Sequence, residues 1–146
     1  MIRVLIVEDQ AILRESLARS VGDQPDMTVV AAIADASEAL GVALRERPDM
    51  ILMDVQMPLM NGYEAAQAIR KSSNPDGKAI PIIAMTANAF SDDIRACLNA
   101  GMDAHVSKPV DMSAFEKTVR SLREDKKRLV QRCKSCLLYT SPSPRD

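Results

Sequence analysis

The sequence predicts an α/β fold built on a parallel sheet with right-handed crossovers. Two observations carry that expectation. Short apolar runs, too brief for helices, alternate along the chain with stretches whose apolar residues recur at helical spacing. Most of these runs stop on a carboxylate, a hydroxyl or an ammonium group, which places chemistry at the carboxyl edge of a sheet, where open α/β sheets bind ligands.

Residues 2–7 (IRVLIV) read as a buried strand with Glu8 and Asp9 at its carboxyl end. From Gln10 to about Val21, Leu13, Leu17 and Val21 recur every four positions with Ile12 alongside, a helical face that leaves Arg14, Glu15 and Arg19 toward water. Gly22 ends that helix. Residues 27–33, with β-branched Thr28, Val29 and Val30, form a second strand. Asp35 or Ser37 can cap a helix carrying Ala36, Leu40, Ala43 and Leu44, which stops before Pro48 because a residue preceding proline avoids the α region. Met50, Ile51, Leu52 and Met53 make a third strand, buried on both faces, that ends abruptly on Asp54. An aspartate after a strand often only caps the next helix. Here that helix starts near Asn61 or Gly62, too far along for Asp54 to cap it, and runs to about Lys71.

The turn-rich segment 72–78 (SSNPDGK) is a surface loop. Residues 80–85 are a fourth strand ending on Thr86, residues 91–100 a helix closed by Gly101, and residues 104–107 a brief strand ending on Lys108 and Pro109. The last helix starts near Ser113 and turns Phe115, Val119 and Leu122 inward.

The 146 residues, 47% hydrophobic and 27% charged, suit one domain with one core. A net charge of −1 gives no global field to recruit nucleic acid or an anionic membrane, so partners must be selected locally. No apolar run approaches the roughly 20 residues that cross a bilayer, and the N-terminus meets an acidic pair before a cleavage-site pattern forms, so a cytoplasmic chain with reduced cysteines is expected.

Glu8, Asp9 and Asp54 gathered at one edge would repel one another unless a cation sat among them, and a lone lysine is too little compensation. Oxygen-only ligands without His or Cys argue for Mg2+. A metal ion, the Lys108 ammonium and the Thr86 hydroxyl around a carboxylate describe phosphoryl transfer, with Asp54 as nucleophile.

These residues also resemble a known family. The stretch from Asp54 fits the receiver-domain pattern D-x-x-M-P-x-M-x-G through Asp54, Met57, Pro58, Met60 and Gly62, and VLIVEDQ, AMTAN and SKPVD look like its other signatures. The resemblance covers residues 2 to about 123 and names a response-regulator receiver, chemotaxis-receiver-like, with a flavodoxin-like, doubly wound sheet of strand order 2-1-3-4-5 and helices on both faces. It implies that Asp54 accepts a phosphoryl group from a phosphohistidine on a sensor histidine kinase or phosphotransfer protein. It also implies that Asp9, Asp54 and the backbone carbonyl of Gln56 bind Mg2+, with Glu8 acting through water. Lys108 would contact the phosphoryl oxygens, Thr86 would be the switch hydroxyl, and small Ala87 would leave room for the phosphate. The bond to Pro109 is cis in many relatives, and Gln56 and Asn88 occupy positions that tune water access. His105 departs from the commonest pattern by standing where many relatives carry Tyr or Phe, and is assigned the rotamer-switch position. Output would run through the face around helix 4, strand 5 and helix 5.

The ends of the domain look like different relatives: MIRVLIVEDQAILRESLARSV resembles receivers preceding a LuxR-type helix-turn-helix domain, and GMDAHVSKPVD receivers attached to hybrid histidine kinases. Nucleic acid is then expected only through an output domain elsewhere. A start at Met1 favours a free-standing or N-terminal receiver. Residues 124–135 read as a basic helical extension or linker; from Phe115 on, Phe115, Val119, Leu122, Leu129 and Cys133 keep a heptad spacing interrupted by Lys126, so a homodimer contact stays open, as does a solvated helix end. The C-x-x-C of Cys133 and Cys136 is weak by itself, and residues 136–146 (CLLYTSPSPRD) resemble a translated sequencing adapter, a non-biological tail. Against the switch stand two other readings: an aspartate-nucleophile phosphohydrolase, which usually carries a second acid where Gln56 stands, and an interaction module that never takes phosphate.

Overall fold

Successive residues of a strand point to opposite faces of its sheet, so a strand apolar at every position is stable only between two layers. β1 (Ile2–Val7), β3 (Met50–Asp54) and β4 (Ile82–Thr86) meet that condition: β3 and β4 are buried throughout, and β1 everywhere but Arg3. β2 (Met27–Ile33) and β5 (Ala104–Ser107) are only partly buried, as edge strands are. All pairings are parallel, in the order β2-β1-β3-β4-β5, which is the doubly wound arrangement expected. The structure is a computed structural model that describes residues 1–55, 61–72, 79–86, 91–108 and 110–137, with backbone alone for 91–93 and 125–137.

Alternation sorts the core into two layers. Leu5, Val7, Ile51, Met53, Ile82 and Ala84 pack with α2 (Ala39–Glu46), α3 (Gly62–Lys71) and α4 (Ser91–Asn99). Val4, Ile6, Met50, Leu52, Ile83 and Met85 face the other way, onto Leu17 and Val21 of α1 (Ala11–Gly22) and Phe115 and Val119 of α5 (Met112–Leu137). Phe115 and Val119 are fully buried, as the sequence predicts, with Leu122 packed at their rim.

Helix ends are set by local chemistry. Asn61 accepts a hydrogen bond from the Glu64 amide while the Glu64 carboxylate accepts one from the Asn61 amide, a reciprocal cap that starts α3. Asp35 accepts from the Ser37 amide and hydroxyl, which holds its carboxyl below the usual range. It opens a 3-10 turn (Ala36–Glu38) that leads into α2. α2 ends on Arg47 in the left-handed region, φ 49°, immediately before Pro48. Gly101, at φ +95°, turns the chain from α4 to β5, and the Arg70 guanidinium donates to its carbonyl and to the Asp103 carboxylate, both at 2.8 Å. Burial holds that guanidinium below its usual range.

Several boundaries differ from expectation. β4 begins at Ile82, not Ile80, because Pro81 has no amide to enter the ladder. Gly22 lies inside the last turn of α1, and α5 starts at Met112, where the Asp111 carboxylate accepts from the Ser113 amide. Ile12 does not join the buried face of α1; it is 84% exposed, because a helix of this pitch turns only Leu17 and Val21 fully onto the sheet, with Leu13 half-buried. A β-bulge leaves Val30 without a partner on β1. The backbone of α5 continues helical to Leu137, while the side chains of Lys126, Leu129, Cys133 and Cys136 lie outside the described residues. Among the described residues no helix is long and apolar enough to cross a membrane.

The N-terminus of α3 sits directly on the end of β3: the Gly62 amide donates to the Val55 carbonyl, and a Cβ at Gly62 would meet the Asp54 carbonyl oxygen and lie 2.8 Å from the Val55 Cα. Backbone cannot yield as a flexible side chain can. Gly62→Ala is therefore expected to destabilise the domain by about 1–3 kcal/mol, the usual cost of overpacking; urea unfolding checks it, through a lower midpoint.

Candidate functional site

Register explains why distant acids meet. Ile6 lies opposite Leu52, so two residues on, at the carboxyl edge, Glu8 stands opposite Asp54. Both share the strand parity that faces α1 and α5, as does Lys108, two residues beyond Val106. Asp54 is level with Met85, and Met85 with Val106, so the Lys108 side chain needs only to lean back across the end of β4. Its ammonium donates to Asp54 Oδ2 at 2.8 Å and stands 2.9 Å from Glu8 Oε1. The second is a charge contact whose angles miss hydrogen-bond alignment, since Glu8 Oε1 has no hydrogen-bond partner among the described residues. Glu8 Oε2 accepts from the Gln10 amide at 3.1 Å.

Glu8 is fully buried, Asp54 2% exposed, and Asp9 half-buried beside them. One carboxylate oxygen from each of the three lies within 4.8 Å of the others, the grouping expected from the strand ends. Burial raises the Glu8 carboxyl above its ordinary value of 4.5, outweighing the Lys108 ammonium and the Gln10 amide that favour its charge; Asp9 and Asp54 add to the rise. Lys108 is raised in turn: burial acts to lower it, but Asp54 and Glu8 outweigh that. One ammonium among three carboxylates leaves a net negative, oxygen-only pocket, and that donor set fits a hard divalent cation.

Thr86 closes β4 beside these groups, buried at 2% exposure, with its hydroxyl lacking a hydrogen-bond partner among the described residues. Its carbonyl accepts from the Lys108 amide at 2.8 Å, tying the switch candidate to the lysine strand. His105 is half-buried on β5, along a groove shared with Asp111, Ala114 and Thr118 of the last helix and its approach. Gln56, Ala87, Asn88 and Pro109, with the motif residues Met57, Pro58 and Met60, lie outside the described residues.

The sequence reading missed Arg14. Expected to face water, it is half-buried, and its Nη1 donates to the carbonyls of Glu8 at 3.0 Å and Asp9 at 3.3 Å. The signal was present in its spacing: an arginine in the first turn of a helix, five residues after an acid pair, is within reach of the loop it follows.

An open, doubly wound sheet with acids, a lysine and a hydroxyl at its carboxyl edge is the architecture of the CheY-like class of flavodoxin-like domains. The chain belongs to the response regulator receiver domain family, whose model matches residues 4–120, and is a receiver domain of two-component signalling. The sensor histidine kinase RcsC of Escherichia coli (strain K12) is 36% identical over 116 residues, 80% of this chain but 12% of that kinase. Among solved structures, the Vibrio cholerae chemotaxis protein CheY4 superposes with a TM-score of 0.75 at 30% identity, over 84% of this chain and 98% of that one. The receiver domain of the sensor histidine kinase PA1611 from Pseudomonas aeruginosa PAO1, solved with magnesium in its active-site cleft, matches at 35% identity and a TM-score of 0.68, over 82% of this chain and 95% of that one.

Glu8→Gln is expected to stabilise the metal-free protein at neutral pH. A carboxyl whose folded pKa is raised contributes stability that is complete below its unfolded value near 4.5 and lost as pH climbs through the folded value. Glutamine stays neutral throughout, so its advantage should fade toward zero in acid. Urea unfolding of both proteins at neutral and acid pH checks the sign, and a variant less stable at neutral pH would contradict it.

Proposed function

We propose that this receiver is a phosphoacceptor switch: Asp54 takes a phosphoryl group from a phosphohistidine on a sensor histidine kinase or phosphotransfer protein. The observation that carries this reading is the buried Asp54 carboxylate, with the Lys108 ammonium 2.8 Å away and the Glu8 and Asp9 carboxylates at its side. An Asp54 oxygen attacks phosphorus, the P–O bond forms as the donor's P–N bond breaks, and the imidazole nitrogen keeps the electron pair. Lys108 then pairs with phosphoryl oxygens in place of the carboxylate it holds now. Asp9 and Asp54 would hold Mg2+, with Glu8 behind them and the Gln56 carbonyl joining by family resemblance; the ion supplies charge neutralisation on the phosphoryl oxygens. In this reading the domain catalyses only its own modification and turns over no external metabolite, which sets it apart from an aspartate-nucleophile phosphohydrolase. A kinase donor places it in the cytoplasm.

The added charge acts by population shift. The Thr86 hydroxyl, without a hydrogen-bond partner among the described residues, is available to bond the phosphoryl group and to draw β4 inward; His105 follows as the rotamer switch. The face formed by α4, β5 and α5 then changes its affinity for an output partner, a second copy or a domain elsewhere in a longer protein.

Intact mass after incubation with acetyl phosphate and Mg2+ should show one phosphoryl adduct, absent in Asp54→Asn and after chelation; an unmodified wild type would count against the switch. Thr86→Ala should keep the adduct yet lose most phosphorylation-induced amide shifts along β5 and α5 by NMR. His105→Ala should reduce those shifts as well, and equal shifts in wild type and variant would remove the histidine from the relay.

A further inference from the structure

We infer that Arg14 is a positioning residue for the cation site: its guanidinium gathers the backbone of the acid pair so that the Glu8 and Asp9 side chains converge on Asp54. The inference rests on the phosphoacceptor reading and adds a residue to it. Nη1 donates to two consecutive carbonyls, Glu8 at 3.0 Å and Asp9 at 3.3 Å, in the loop that joins β1 to α1. Those carbonyls belong to the residues that supply two of the three clustered carboxylates. The Gln10 side chain does not cap α1, so no side-chain cap holds this turn from the helix side. The other fixed points are the Glu8 amide donating to Ile33 at 3.0 Å, the Gln10 amide donating to the Glu8 carboxylate, and the Arg14 amide donating to the Gln10 carbonyl at 2.8 Å. With both carbonyls drawn toward α1, the carboxylates are left to face the pocket. Arginine suits the task because its planar fork holds a fixed geometry that a lysine point charge does not.

Two physical effects of Arg14 on a cation have opposite signs, and that makes the inference testable. As a mere positive charge near the pocket it would repel Mg2+, so its removal would tighten binding. As an orienting group it strengthens binding, and loss of such support around metal ligands costs roughly tenfold or more in affinity. Mg2+ titration by calorimetry of metal-free wild type, Arg14→Lys and Arg14→Gln separates them, with urea unfolding alongside. Both variants are expected to bind Mg2+ about tenfold more weakly and to need correspondingly more Mg2+ for half-maximal acetyl phosphate labelling. Unchanged Mg2+ affinity in Arg14→Lys, whatever happens to urea stability, overturns the inference in favour of a purely structural role, and tighter binding in Arg14→Gln overturns it in favour of simple charge. A wild type that binds no Mg2+ and takes no phosphoryl group sinks the underlying reading and this inference together, a result distinct from normal wild-type behaviour with silent variants.

Discussion

Everything at the carboxyl edge depends on how charge is compensated there. Glu8 and Asp54 are buried carboxylates facing each other across neighbouring strands, and Asp9 adds a third within 4.8 Å. Buried like charges are costly unless paired, and the Lys108 ammonium, 2.8 Å from one and 2.9 Å from another, is the pairing the described side chains provide. One positive charge cannot balance three negative ones. Burial first, with Asp9 and Asp54 adding to it, raises the Glu8 carboxyl, and the neighbouring Asp54 and Glu8 carboxylates raise the Lys108 ammonium against its own burial: the acid resists its charge and the base keeps its own. What remains is a net negative, oxygen-only cluster, a donor set that suits a hard divalent cation.

The scaffold keeps these groups in place without contributing to the chemistry. β3 lies between two apolar layers, so Asp54 is presented on a strand that has no room to shift. Gly62 lets α3 close against that strand end, where any larger residue would strike backbone. At the opposite edge Arg70 ties α3 to the turn after α4 through the Gly101 carbonyl and the Asp103 carboxylate, while Asp103 also accepts from the Ile82 amide at the start of β4. These Arg70 and Asp103 ties lie at the amino edge of the sheet, away from the cluster of acids. The buried Thr86 hydroxyl and Glu8 Oε1, both at the carboxyl edge, lack a hydrogen-bond partner among the described residues.

Much of this was legible in the residues. Continuous apolar runs declared β1, β3 and β4 as strands buried on both faces, and Phe115, Val119 and Leu122 declared the inner face of the last helix. Ile12 was misplaced because a periodic count places residues on a wheel without saying how much of the wheel the sheet covers; at 84% exposure it lies beyond the covered arc. Arg14 was misplaced for a related reason. A long cationic side chain on the polar arc of a helix can either enter water or fold back onto nearby carbonyls, and only the path of the preceding loop decides between them. The bulge that leaves Val30 without a partner follows from the pairing of β2 with β1, which no local pattern encodes.

Sequence alone therefore determined the order of the elements and which residue type closes each strand, because burial and turn chemistry act over a few neighbours. Which closing residues touch was decided by tertiary structure. Parallel register sets Glu8 level with Asp54, strand parity turns both toward α1 and α5, and the order β1-β3-β4-β5 leaves Lys108 one strand-width beyond β4, within reach of both. These are properties of pairing between segments remote in the chain, and they exist only once the sheet has formed.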